Sequence, residues 1–320
     1  MRMDGIVAVT YRCNSRCLMC YIWDHPSKPS EEIRPEHFRN LPDMVRLNVT
    51  GGEPFLRDDL GEILDIVKQK AKRVVISSNG FLTKRTLEVM DKHRDVGIRI
   101  SFDGIGETHD RIRGVELAHK RALATLKGLI ELGVKDLGIA VTISDINARD
   151  LVPLYKLACD NHVELATAIL HNAYYFQKQD NAIEDKTRVE LEIKNLMREY
   201  LKSSHPKDWF RAYFSKGIIE HMYGKERELK CTMATDSFFV DPYGYVRPCN
   251  VMDTPFGNIK ERAFDEIWHS GEAEEARKKV DACRMNCWMI GSVGHLIRRK
   301  PWAPLLWICK NKLSPGGNIE

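Results

Sequence analysis

The sequence predicts an α/β protein: a partial (β/α)6 barrel followed by a small cysteine-bearing unit. Three observations carry this. Six short runs of β-branched and apolar residues alternate with longer amphipathic stretches, nine cysteines cluster instead of scattering, and the pattern changes near residue 225. Strands separated by helices of this length form right-handed βαβ units and therefore a parallel sheet. Six units fall short of the eight that close a barrel, so an open or partial one is expected.

The strand candidates are residues 5–10, 45–50, 73–77, 97–102, 137–143 and 163–169. Amphipathic stretches at 59–70, 83–93, 119–132 and 147–161 supply the crossover helices. From about 184 to 224 the pattern is helical and charged. Beyond it come strand-like runs at 237–241 and 245–247, turn signals at Asp241-Pro242 and Tyr243-Gly244, and a helix near 264–270. The expected division is a core at 1–224, a second unit at 225–294 and a tail at 295–320. That tail sets Arg298, Arg299, Lys300, Lys310 and Lys312 beside Trp302, Leu305, Leu306, Trp307 and Ile308. The plain reading is a helix packed on the barrel; tryptophans beside cations also suit peripheral membrane contact or a greasy substrate mouth.

A net charge of +4 on 320 residues, with no long basic block, does not point to a nucleic-acid partner. The opening MRMDGIVAVTYRC is too short in apolar residues for a secretory signal. No window approaches the roughly 18 apolar residues of a membrane span. A cytoplasmic protein is expected, and in a reducing compartment clustered cysteines point to metal or catalysis instead of disulfides.

Cys13, Cys17 and Cys20 follow the first strand as C-x3-C-x2-C. Thiolates are soft, anionic donors, and this spacing lets one loop hold three irons of a cluster. Three ligands for four irons leave one open, and an open coordination position is where a reactant binds. Zinc is the competing occupant, although its usual signature pairs two such knuckles. Further on, Gly51-Gly52-Glu53-Pro54, Ser77-Ser78-Asn79-Gly80 and Ser101-Phe102-Asp103-Gly104 close the second, third and fourth strands. Barrel sites assemble at such C-terminal strand ends.

On these residues the chain resembles the radical S-adenosylmethionine (radical SAM) enzymes. Cys13 to Cys20 is similar to their C-x3-C-x-Φ-C signature, with Met19 where an aromatic is usual. The resemblance implies a 4Fe-4S cluster on Cys13, Cys17 and Cys20, and bound S-adenosylmethionine. Met19 would lie beside the adenine; Gly51, Gly52, Glu53 and Pro54 would meet the methionyl amino group, the glycines by close backbone approach. Ser77 and Asn79 would face the ribose, and Ser101 and Asp103 form the SxDG element of one large branch. The ETHDRIRG stretch at 107–114 also looks like that branch, and Arg113 could hold a substrate or cofactor carboxylate bidentately; an ordinary ion pair is the alternative.

The second group, Cys231, Cys249, Cys283 and Cys287, looks like Twitch, a truncated relative of the SPASM auxiliary-cluster domain. Gly244 would let the hairpin turn tightly and return its second thiolate to the same metal. A second 4Fe-4S cluster is implied, with structural zinc the alternative. Cys309 would replace Cys283, donate hydrogen to a substrate radical, or do nothing; Cys159 reads as a small core residue.

The family's chemistry implies reductive cleavage of S-adenosylmethionine to a deoxyadenosyl radical that takes hydrogen from a substrate, fed by a flavodoxin- or ferredoxin-type electron donor and sensitive to oxygen. Peptide-modifying relatives often carry an N-terminal leader-binding domain, and this chain begins almost at the first strand. A carbohydrate, polyol or lipid-linked small molecule is therefore expected, for oxidation, epimerisation or rearrangement. A peptide or protein substrate is the alternative, and a non-catalytic iron–sulfur electron carrier the reading from another class.

Overall fold

The computed structural model describes residues 3–227 and 230–312, with only the backbone of His295, Leu296, Arg298 and Arg299. Six parallel strands, β1 (Asp4–Ala8), β2 (Met44–Thr50), β3 (Ala71–Ser78), β4 (Gly97–Ser101), β5 (Leu137–Ile143) and β6 (Glu164–Ile169), lie side by side in sequence order. A doubly wound sheet would reverse its strand order, whereas an unbroken progression is the barrel arrangement. The crossovers carry α1 (Leu60–Lys70), α2 (Thr83–Lys92), α3 (Glu107–Arg113), α4 (Ala118–Glu131) and α5 (Leu151–Asp160). Between β1 and β2 the chain instead runs through the cysteine loop and a 3-10 turn, Pro35–Asn40, whose Phe38 is fully buried.

Two long helices follow, α6 (Lys186–Lys202) and α7 (Pro206–Met222). The second cysteine group then joins the same sheet: β7 (Ser237–Val240) pairs parallel with β1, and β8 (Tyr245–Arg247) and β9 (Gly257–Asn258) add antiparallel strands. The open edge of β1 is thereby covered, which removes an unpaired strand edge. Helices α8 (Phe264–Trp268), α9 (Gly271–Asp281), α10 (Ile290–Arg299) and α11 (Trp302–Lys312) follow and end the described residues.

Helix α11 packs on α6 and α7. Trp307 meets Tyr213 at 5.8 Å, Ile308 is buried, and Lys312 Nζ donates to the Leu201 carbonyl at 2.7 Å. The packed-helix reading of the tail thus holds for this stretch, while the side chains of Arg298 and Arg299 lie outside the described residues. Among the described residues no helix is long and apolar enough to cross a membrane. Cys159, expected in the core, is exposed. The buried face of α5 is Leu151, Leu154, Tyr155 and Ala158, and one further residue rotates about 100° away from it.

Beneath the strands, Asp136 accepts from Arg73 (2.7 and 2.9 Å) and Arg99 (2.7 Å). Burial alone would raise its carboxyl; the two guanidiniums overcome that and hold it well below the usual range. Such a group adds stability above its unfolded pKa of about 3.9 that fades as pH falls through that value and below. Asp136→Asn should therefore cost about 1–2 kcal/mol at pH 7 and progressively less towards pH 3, read by urea unfolding across that range.

Candidate functional site

Backbone bonds fix the first cysteine loop on three sides. The β1–β2 ladder continues past the strands: Gly52 N donates to Thr10 O (2.7 Å) and Glu53 N to Arg12 O (2.8 Å). From the other side Arg16 N and the Ser15 hydroxyl donate to the Arg113 carbonyl, both at 2.9 Å, and Leu18 N to Ile112 O at 2.9 Å. On the third, Tyr21 N donates to Phe176 O at 2.8 Å.

Underneath lies a buried ionic clamp with no motif to announce it in the sequence. Glu32 accepts from the hydroxyls of Thr10 (2.5 Å) and Ser27 (2.6 Å) and from Arg12. Arg57, equally buried, stands 3.7 Å from Glu32 and donates to Val9 O (2.9 Å). Buried charges persist when paired and hydrogen-bonded, and here they fix where the cysteine loop begins.

The three thiols of this loop are close enough to repel one another as thiolates. Burial, the neighbouring Cys17 and Glu53 push the Cys13 thiol up to about 12, and burial and Cys17 push Cys20 up to about 12. Such thiols ionise when a cation replaces their protons. Arg113 Nη1 faces Cys17 Sγ at 3.7 Å. Its Nη2 pairs with the fully buried Asp103 Oδ2 at 2.5 Å, and its buried Nε has no hydrogen-bond partner. Of the two readings of Arg113, a bidentate clasp on a ligand carboxylate or an ion pair within the protein, Asp103 supplies the ion pair and takes one arm, because a guanidinium this buried needs a resident counterion. Asp103 Oδ1 also accepts from Thr142 N (2.8 Å), and Asp103 N donates to Nδ1 of His109, which burial and Arg113 keep neutral, down to about 2. Asn147 Nδ2 completes the set on the Asp103 carbonyl at 3.1 Å.

The Gly51–Pro54 segment departs from expectation. A Cβ on Gly51 would lie 2.5 Å from Thr10 O, and one on Gly52 2.2 Å from Arg12 O. The close approach that needs glycine is thus to the cysteine loop. The Glu53 carboxylate, expected at a ligand's amino group, is fully buried and accepts from Phe55 N (3.2 Å), the Ser78 hydroxyl (2.9 Å) and Asn79 N (2.7 Å). Burial raises its pKa to about 7 in spite of these bonds. It ties the second strand end to the third, while Pro54 opens a buried 3-10 turn. Asn79 Nδ2 reaches Asn14 Oδ1 in the cysteine loop at 2.7 Å, and Ser77 bonds Asn48 (3.1 Å). Ser101 is half-buried at the end of β4. Met19 lines a cavity of about 180 Å³ with Leu18, Ile112, Thr142, Ser144 and Asn181.

The second group stands apart. Asp241 Oδ1 accepts from Tyr243 N (2.9 Å) and Tyr245 N (3.0 Å), and Gly244 adopts φ +90°, so the β7–β8 turn has the form expected of it. Cys231, Cys249, Cys283 and Cys287 all line one cavity of about 430 Å³, with Met233 and Val280. Burial and mutual repulsion raise Cys249 to about 11 and Cys287 to about 12. Trp288 anchors this end by donating to Phe214 O (2.9 Å) and packing where Gly217 leaves α7 bare. Among the described residues no three His, Cys, Asp or Glu side chains converge tightly enough for one metal ion. Cys309 is exposed on α11 and does not line this cavity.

Both places fit a thiolate-bound cluster: the first by three coupled thiols beside an unpartnered buried guanidinium nitrogen, the second by four thiols around a cavity. Residues 7–158 match the model of the Radical SAM superfamily, and residues 231–288 that of SPASM, an iron-sulfur cluster-binding domain. The chain is 35% identical over 292 residues to the Fe-coproporphyrin III synthase of Methanosarcina barkeri, covering 81% of this chain and 72% of that protein. It is 27% identical over 281 residues to the antilisterial bacteriocin subtilosin biosynthesis protein AlbA of Bacillus subtilis, covering 84% of this chain and 60% of AlbA. The solved structure of native anSMEcpe with bound AdoMet and Kp18Cys peptide matches with a TM-score of 0.67 at 15% identity, covering 97% of this chain and 100% of that one. At that identity the likeness speaks for the fold.

Proposed function

Since the chain belongs to the radical SAM superfamily and carries a C-terminal SPASM iron–sulfur domain, we propose that it takes a hydrogen atom from a small-molecule substrate. When bound, S-adenosylmethionine and the 4Fe-4S cluster supply reductive carbon–sulfur cleavage. Cys13, Cys17 and Cys20 hold the first cluster, and Cys231, Cys249, Cys283 and Cys287 the auxiliary one. Arg113 faces the first cluster and offers its free Nε to an anionic group, with Asp103 keeping it in place. Met19 and the cavity beside it receive the adenine, and Asn79, Ser77 and Ser101 line the approach. Glu53, Gly51, Gly52 and Pro54 shape the loops without touching the ligand through side chains. A flavodoxin- or ferredoxin-type protein supplies the electron. The single observation that carries this reading is Arg113 Nη1 at 3.7 Å from Cys17 Sγ, with an unpartnered Nε, at the ends of parallel strands.

The test is anaerobic reconstitution with iron and sulfide, then counting of deoxyadenosine formed with a strong reductant. The Cys13→Ala/Cys17→Ala/Cys20→Ala protein should form none while retaining the auxiliary cluster's iron. Native protein that is fully loaded yet produces no deoxyadenosine in the presence of candidate substrates would count for a plain electron carrier.

The small-molecule class is supported by the relative named for an iron porphyrin, matched at higher identity and over more of its length than AlbA. Carbohydrates, polyols and lipid-linked compounds remain within that class. AlbA favours the second reading, a peptide substrate. Deuterium appearing in deoxyadenosine from a labelled peptide, and from no small molecule, would reverse the preference.

The tail supports peripheral contact with an anionic membrane. On α11, Trp302, Leu305 and Leu306 lie at helical spacing and are 58%, 46% and 71% exposed. Between residues 282 and 319 the sequence has Arg284, Arg298, Arg299, Lys300, Lys310 and Lys312 and no Asp or Glu. An apolar face among cations suits lipid headgroups. Sedimentation with anionic vesicles at low salt should carry the protein down, and Leu306→Glu should release it. Equal indifference to anionic and neutral vesicles would end the idea.

A further inference from the structure

Between β6 and α6 the chain makes a tight 3-10 turn, Tyr174–Phe176, closed by a bridge between Ala173 and Lys178. Three consecutive residues of this turn are bonded to three different parts of the molecule. The Phe176 carbonyl accepts from Tyr21 N (2.8 Å), the residue after Cys20. Tyr175 N donates to Asn250 O (3.0 Å) and Tyr174 N to Val251 O (3.1 Å), the two residues after Cys249. The Tyr175 hydroxyl donates to Gly51 O at 2.5 Å, in the glycine loop against the first cysteines.

The turn has little freedom to move without its partners. Tyr175 is 7% exposed, with its ring against Tyr11, Phe176 and Phe239 at 5.3–6.1 Å. Tyr174 lies under the Arg247 guanidinium at 4.6 Å, and Arg247 is itself buried and paired with Asp241. Packed interiors transmit displacement instead of absorbing it. A shift of the Cys249 loop therefore moves Tyr175, and with it the carbonyl of Gly51.

We infer that this turn is a strap coupling the two cysteine sites, with Tyr175 as the positioning residue through which the auxiliary site sets the glycine loop for S-adenosylmethionine. The inference rests on the assignment of both sites made above. It gives the auxiliary domain a mechanical part in cofactor binding, separate from any electron it carries.

The experiment measures S-adenosylmethionine affinity of the anaerobically reconstituted full chain by equilibrium dialysis, with the electron paramagnetic resonance spectrum of the reduced first cluster alongside. Tyr175→Phe keeps the ring and deletes the buried hydrogen bond to Gly51 O, with the longer one to the Thr50 hydroxyl, so affinity should fall about fivefold at unchanged iron content. Its spectrum with cofactor should differ from that of the native protein. Cys249→Ser should weaken affinity by a similar factor alone and add little in the Tyr175→Phe background, since both act through one connection. Amide exchange at Tyr21 should also quicken in Cys249→Ser, a readout that needs no cofactor. Native affinity in Tyr175→Phe, effects of the two substitutions that simply multiply, or unchanged exchange at Tyr21 would each overturn the strap. A native protein with full iron that never binds S-adenosylmethionine would instead overturn the functional reading beneath it.

Discussion

Alanine at position 52 is expected to prevent the first cysteine site from holding its cluster while leaving the second intact. The added Cβ would lie 2.2 Å from the Arg12 carbonyl oxygen, 2.7 Å from its carbon and 2.9 Å from Cys13 Cβ. Most of this is backbone, which cannot rotate away as the end of a side chain can, so the two loops must separate. Separation breaks the bonds from Gly52 N to Thr10 O and from Glu53 N to Arg12 O and displaces Cys13 from its two partners. Overpacking of this kind costs about 1–3 kcal/mol or more. Iron per chain in Gly52→Ala should fall to the value found in the triple cysteine variant. Gly271→Ala, where nothing stands within 4 Å of the added carbon, is the control and should load normally. Full loading of Gly52→Ala would mean that the loop contact is not what places the cysteines.

Removal of the Asp103 carboxylate should produce the largest loss of stability. The residue is fully buried and serves Arg113, Thr142 N and, through its own backbone, His109 and Asn147. Asp103→Ala strands a guanidinium that is 12% exposed, and an orphaned buried charge of this kind costs ~3–5 kcal/mol. For a chain of 320 residues that is a fall in Tm of about 4–8 °C. The Arg113 carbonyl anchors Arg16 N and the Ser15 hydroxyl, so iron loading at the first site should fall as well. The pair variant Asp103→Leu/Arg113→Met removes both charges and should recover much of the stability. It should not recover deoxyadenosine formation, because Arg113 no longer faces the cluster. If Asp103→Ala alone is as stable as the native protein, the Asp103–Arg113 ion pair does not hold this part of the barrel.

Cysteine spacing and the strand-end motifs were legible because they are local. A loop that holds three thiolates, or a turn such as Asp241 to Gly244, is built from residues near one another in the chain. The six strands were legible for a related reason, since alternation of short apolar runs with amphipathic stretches registers burial on a sheet and on its covering helices. The direction of Glu53 was not legible. A carboxylate beside a glycine pair reads equally well towards a ligand or into the protein, and only the arrival of Ser78 and Asn79 from the next strand decides between them. The exposure of Cys159 was missed because it lies one residue beyond the apolar face of α5, an offset within the error of any boundary read from periodicity.

By itself, then, the sequence determined the barrel's strands and their order, the two sets of cysteines and the chemistry such thiolates support, all properties of short stretches of chain. The tertiary structure alone decided what holds those stretches in place: the Glu32–Arg57 clamp beneath the first cysteines, the union of β7 with β1, the Asp103–Arg113 pair and the Tyr174–Phe176 strap. Each joins residues that the chain keeps well apart. A side chain's partner depends on which elements packing brings together, and a buried charge or phenol becomes informative only once its surroundings have excluded water.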